Sequence, residues 1–115
     1  MIKNLLSKQS DVKNELDCSS VIVVYSSKNG SWRGFVRPYD ITIETETRNQ
    51  AIEALKDMLE TYRNMLKKYN YPEHLQTKPF SDDEDRSFFD KIALEALVGK
   101  GKVNTKSFYA EAVPA

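Results

Sequence analysis

Apolar side chains first recur at Ile2, Leu5, Leu6, Val12 and Leu16, a loosely helical spacing that predicts a short helix or docking arm over residues 1–17. A denser signal follows. Val21 to Tyr25 is an unbroken apolar run rich in β-branched residues, and Trp32, Phe35, Val36 and Tyr39 mark a second strand-like run from Ser31 to Tyr39. Between them stands Lys28-Asn29-Gly30-Ser31. An Asn-Gly pair there predicts a β-hairpin, with a type I′ turn that needs positive φ at both central residues. Pro38 cannot donate to a ladder, so it predicts the end of the second strand or a bulge. Ile41 to Glu46 alternates strictly, with Ile41 and Ile43 on one face and Thr42, Glu44 and Glu46 on the other. That is a third, half-exposed strand.

The period then changes from two to between three and four. Thr47 and Gln50 have the spacing of a capping box. Ala51, Ile52, Leu55, Met58, Leu59, Tyr62, Met65, Leu66 and Tyr69 follow as one stripe, opposite a face of Glu53, Lys56, Asp57, Glu60, Arg63, Lys67 and Lys68. At about 1.5–3 kcal/mol per fully buried large side chain, this helix is the largest single contributor to the core and must cover the sheet. Tyr71-Pro72 ends it. A second capping box, Ser81 with Glu84, predicts a helix over 81–98 with a stripe of Phe88, Phe89, Ile92, Ala93, Ala96 and Leu97 and with Gly99 at its C′ position. Residues 99–115 read as a tail or an edge strand. The pattern therefore predicts an α+β fold: a three-stranded antiparallel sheet, a β-hairpin plus a third strand, covered by one long amphipathic helix, with a second C-terminal helix.

Composition narrows the class. The 115 residues make one domain, 1–115, with a βββα core over 20–70. Cys18 has no partner in the chain, so no disulfide framework exists and a reducing, cytoplasmic compartment is expected. No apolar run approaches the roughly 18 residues of a membrane span. Seventeen basic and seventeen acidic side chains cancel, which disfavours binding along a duplex and removes the net charge that keeps copies apart.

Candidate chemistry is sparse. Asp82-Asp83-Glu84-Asp85 lacks the spacing and glycine of a calcium loop and suits a helix N-terminus on dipole grounds alone. Gly99-Lys100-Gly101-Lys102 follows a helix instead of joining a strand to one, so it is not a phosphate loop, although Lys100 and Lys102 can touch an anionic partner. His74, the one histidine, has no orienting partner for general-base work. No metal, no cofactor and no enzymatic activity are expected. The segment Trp32, Arg33, Phe35, Arg37 and Tyr39 is the main candidate for partner binding. Alternation puts Arg33, Phe35, Arg37 and Tyr39 on one strand face, where they would stack bases and contact phosphate. Alternatively, the two arginines pair with Glu44 and Glu46 of the neighbouring strand.

The order of elements, with Val21–Tyr25, the Lys28-Asn29-Gly30-Ser31-Trp32 turn, Pro38, the Thr47–Leu59 helix start and Tyr71-Pro72, resembles the HicB-like family over residues 20–75. That family has the partial double-stranded-RNA-binding-domain fold of antitoxin-type proteins and their orphan relatives. The resemblance implies a non-enzymatic module that docks on a protein, a toxin or a host protein, and forms a homodimer. Here the link between strands two and three is shorter than the family's, and the last third does not read as a DNA-binding module. A full double-stranded-RNA-binding domain would carry a lysine cluster where this chain has only Arg48. RNA binding through the basic-aromatic face, or inhibition of a host protein by a viral or mobile-element product, are the alternatives.

Overall fold

A computed structural model describes residues 19–114; the arm expected over residues 1–17, and Cys18, lie outside them. The expected hairpin and third strand are β1 (Ser19–Ser26), β2 (Trp32–Arg37) and β3 (Ile41–Thr45), and the long helix is α1 (Arg48–Lys68). A short helix, α2 (Glu73–Gln76), precedes a continuous helical stretch made of α3 (Asp83–Phe88), a π-helical turn over Phe89–Ala93, and α4 (Leu94–Leu97). Two strands close the chain, β4 (Lys102–Asn104) and β5 (Phe108–Pro114). The sheet is antiparallel and five-stranded, in the order β3-β2-β1-β5-β4.

The expectation of three strands is thus corrected to five, and the reason lies in β1. Its residues Val21 to Tyr25 are all at most 3% exposed, so the strand is buried on both faces and paired on both edges. β5 pairs along its whole length, from Ser19↔Pro114 to Tyr25↔Phe108. An apolar run with no polar alternation is the pattern of such a central strand. Even-numbered Ile22 and Val24 face α1, together with Val36 and Tyr109, and meet Ala51, Leu55 and Leu59. Odd-numbered Val21, Val23 and Tyr25 face the opposite way with Phe35 and Ala110, under Ala93 and Leu97 and beside Phe80, Phe88 and Phe89. Helices therefore cover both faces of the sheet.

Local chemistry sets the element ends. Thr47 Oγ1 accepts from the Gln50 amide at 3.2 Å while Gln50 Oε1 accepts from the Thr47 amide at 3.2 Å, the reciprocal capping box. The second helix starts differently from the expectation: Asp82, not Ser81, is its N-cap, accepting from the Asp85 amide at 3.0 Å, and Ser81 donates to Asp40 instead. The hairpin turn also differs. Only Gly30 has positive φ, +88°, and its amide donates to the Ser27 carbonyl at 3.1 Å. This is a wider turn closed by a left-handed glycine, which relieves Asn29 of positive φ.

Gly34 decides how closely α1 lies on the sheet. A Cβ there would sit 2.5 Å from Leu55 Cδ1 and 3.3 Å from both Ile43 Cγ2 and Val24 Cγ2. Gly34→Ala is predicted to cost about 1–3 kcal/mol by overpacking. Combining it with Leu55→Ala, which vacates the contested space, should cost less than the sum of the two single losses in urea denaturation. Strict additivity would contradict a clash at this point.

Candidate functional site

The strand register places Arg33, Phe35 and Arg37 on one face, opposite Tyr25, Val23 and Val21 respectively. The expectation that this face lies open is corrected, because α3, the π turn and α4 lie across it. Phe35 is 2% exposed and makes edge contacts with Phe80 and Phe89 at centroid distances of 5.5 and 6.0 Å. Tyr25 stacks on Phe88 at 4.4 Å. Tyr39 leaves the group, since alternation stops at Pro38; its ring packs on Tyr62 of α1 at 4.5 Å. Trp32 points to the α1 side and packs against that cluster, half-buried. Lys100 and Lys102 are exposed, beyond α4 and on β4.

The covering helix is fastened by charge. Asp85, 1% exposed, takes a bidentate pair from Arg33, with Nε at 3.0 Å and Nη2 at 2.8 Å, and the Tyr25 hydroxyl donates to the same carboxylate at 2.6 Å. Asp82 lies 3.7 Å and Glu44 4.0 Å from the guanidinium, so the cross-strand pairing with Glu44 exists but is the weaker contact. Hydrogen bonding to Asp85 holds the Arg33 guanidinium above its ordinary range, against the opposing effect of burial. Arg37 sits 4.0 Å over the Phe80 ring, and its Nη1 has no hydrogen-bond partner. Burial pushes Arg37 below the usual arginine range. The acidic run therefore does more than complement a helix dipole: Asp82 caps and Asp85 binds the sheet.

The other side of the sheet is different. α1 rests on β3, β2 and β1, leaving β5 and β4 beside it. Between α1 and β5 runs a groove of about 360 Å³ with a floor of Ile22, Leu59 and Val113 and a rim of Lys56, Glu60, Arg63, Asn64 and Glu111. Arg63 closes one end by donating to the carbonyls of Pro114 and Val113, at 2.8 and 2.7 Å, and to Ser20 Oγ at 2.9 Å. Next to the groove, which it does not line, Tyr109 is hydrogen-bonded to Glu111 and surrounded by cations: Arg48 at 5.6 Å, Lys56 at 5.9 Å and Lys102 at 5.5 Å from its ring centroid. Arg48 also bonds Asn104. Sequence reasoning counted Lys102 but missed the rest of this cluster, because only the β5 pairing brings Tyr109 under α1.

His74 lies exposed in α2 and outside the groove. Among the described residues no cluster of three or more His, Cys, Asp or Glu is placed to hold a metal ion, and no helix is long and apolar enough to cross a membrane. Compared with known proteins, the chain matches no family model, no curated protein and no solved structure.

Two predictions follow the charge network. Arg33→Ala leaves the buried Asp85 carboxylate without its cation and should cost about 3–5 kcal/mol, whereas Arg33→Leu combined with Asp85→Leu should cost much less. Chemical denaturation of both variants checks this. Tyr25 and Tyr109 are held above the ordinary tyrosine range, chiefly by burial and then by their carboxylate partners Asp85 and Glu111. The folded chain thus prefers their neutral forms, so stability is full below about pH 10 and falls as pH rises beyond it, where only the unfolded chain ionises them. Tyr25→Phe should flatten that alkaline fall; an unchanged slope would contradict the assignment.

Proposed function

We propose that the chain is a non-enzymatic binding module that docks on a protein partner across the α1–β5 groove; protein docking is the role that the resemblance of residues 20–75 to HicB-like antitoxin-type domains implies. The observation that carries this reading is the groove itself. Its apolar floor stands beside a rim with both signs of charge, Lys56 and Arg63 against Glu60 and Glu111. A polypeptide can match such a rim, whereas a polyphosphate meets repulsion at the two carboxylates. The basic-aromatic face that could have served RNA is occupied by the chain's own helices.

A second reading rests on the cations around Tyr109. With the ring only 2% exposed, bases cannot stack on it, so RNA would be held there by phosphate contacts alone.

One experiment separates the two. The purified chain is titrated with the product of the adjacent gene, where that gene encodes a small toxin-like protein, and separately with single-stranded RNA at low salt. Docking predicts a complex of fixed stoichiometry with the neighbouring product, weakened about tenfold or more by Asn64→Trp at the exposed rim. A salt-sensitive RNA shift lost in Lys56→Ala/Lys102→Ala, with no protein complex, favours the second reading. Binding of neither overturns the first.

A further inference from the structure

We propose that the outer edge of β3 takes up an extended peptide, with alternating basic and β-branched side chains, as a sixth strand of the sheet. This surface lies apart from the α1–β5 groove. The order β3-β2-β1-β5-β4 leaves two outer strands. β4 is three residues long and carries Lys102, a short and charged edge that discourages pairing. β3 has neither guard. It spans Ile41–Thr45, about 17 Å of backbone, without proline, lysine or a bulge, and pairs with β2 at every residue. On its outer side, the amides and carbonyls that point away from β2 have no backbone partner among the described residues. Such a row of unpaired groups is a template for strand addition.

The side chains beside this edge define what fits it. On the α1 side Ile43 is half-buried, and helical spacing puts Met58, 38% exposed, on the flank of α1 opposite Lys56 and Arg63, hence toward β3. An added strand can rest its β-branched residues there. On the other side Thr42 and Glu44 are exposed, and Glu46 follows in the same alternation. Glu44 and Asp82 flank the Arg33 guanidinium at 4.0 and 3.7 Å, but that cation is committed to Asp85 at 2.8 Å. Asp40 and Glu46, both exposed, have no cation within ion-pair distance among the described residues. The edge is therefore acidic. Opposite charges facing each other across a strand pair attract and like charges repel, so lysine or arginine at alternate positions of the incoming strand suits Glu44 and Glu46. A second copy of β3 would instead bring the same carboxylates together.

Nuclear magnetic resonance of the isotope-labelled full chain tests this, with the synthetic peptides Lys-Val-Lys-Val-Lys-Val and Glu-Val-Glu-Val-Glu-Val as probes. The basic peptide should shift the Ile41–Thr45 amides and slow their exchange with solvent, while the acidic one should not bind up to about 1 mM. The double substitution Glu44→Lys/Glu46→Lys should weaken the basic peptide about tenfold or more and admit the acidic one; circular dichroism verifies that the variant is folded. Two N-methylated forms of the basic peptide separate backbone pairing from charge adhesion. An added strand bonds through the amides of alternate residues only, so methylating one alternate set should abolish binding and methylating the other should leave it. Failure of the basic peptide to bind overturns the inference, as does equal binding of the acidic one or indifference to both methylations. Through-space contacts that place residues 1–18 or a second copy of the chain on the β3 edge overturn it too.

Discussion

The carboxylate of Asp85 is the point on which the arrangement depends. It is buried, and it accepts from Arg33 of β2 and Tyr25 of β1 while its own amide is capped by Asp82. A buried carboxylate is tolerable only when its lone pairs are filled, and here donors from two strands fill those of a residue in the first turn of a helix. The same contacts fix where the helical stretch from Asp83 to Leu97 crosses the sheet. That position brings Phe88, Phe89, Ala93 and Leu97 down on Val21, Val23 and Phe35. Apolar burial supplies the larger share of the energy, but it is not directional. The bidentate pair selects one register from the many that greasy surfaces would accept.

This geometry assigns the two faces of the sheet different work. One becomes core: its arginines are bound by carboxylates or stacked on Phe80, and its aromatics pack against one another. The other carries α1 over three strands and leaves β5 and β4 beside it, with long cationic side chains lying over Tyr109. Binding is therefore proposed on the side where the sheet is wider than the helix that covers it.

Much of the fold was legible in the residues. The hairpin, the alternation of Ile41 to Glu46, the Thr47–Gln50 capping box and the stripe of α1 are local signals, each spelled within a few positions. Two things were not. The number of strands depends on β5 pairing with β1 some ninety residues away in sequence, and Phe108 to Val113 is too mixed in character to announce it. The unbroken run from Val21 to Tyr25 held the clue, since a strand without polar positions needs cover on both faces. The candidate site was misread for the same reason: alternation correctly put Arg33, Phe35 and Arg37 together, but only the long-range fit of Asp85 reveals that their face is closed. Tyr39 was misplaced because period-two reasoning was carried past Pro38, where the strand ends.

The closed face and the open groove can be compared directly by nuclear magnetic resonance of the dilute chain with a soluble paramagnetic probe, which broadens the signals of side chains that solvent reaches. The Val23 and Ala93 methyls and the Phe35 ring should stay sharp, while the Val113 methyls at the groove broaden. Broadening of Val23 and Phe35 as strong as that of Val113 would show the Asp85-fastened helices standing away from the sheet, and would contradict the account.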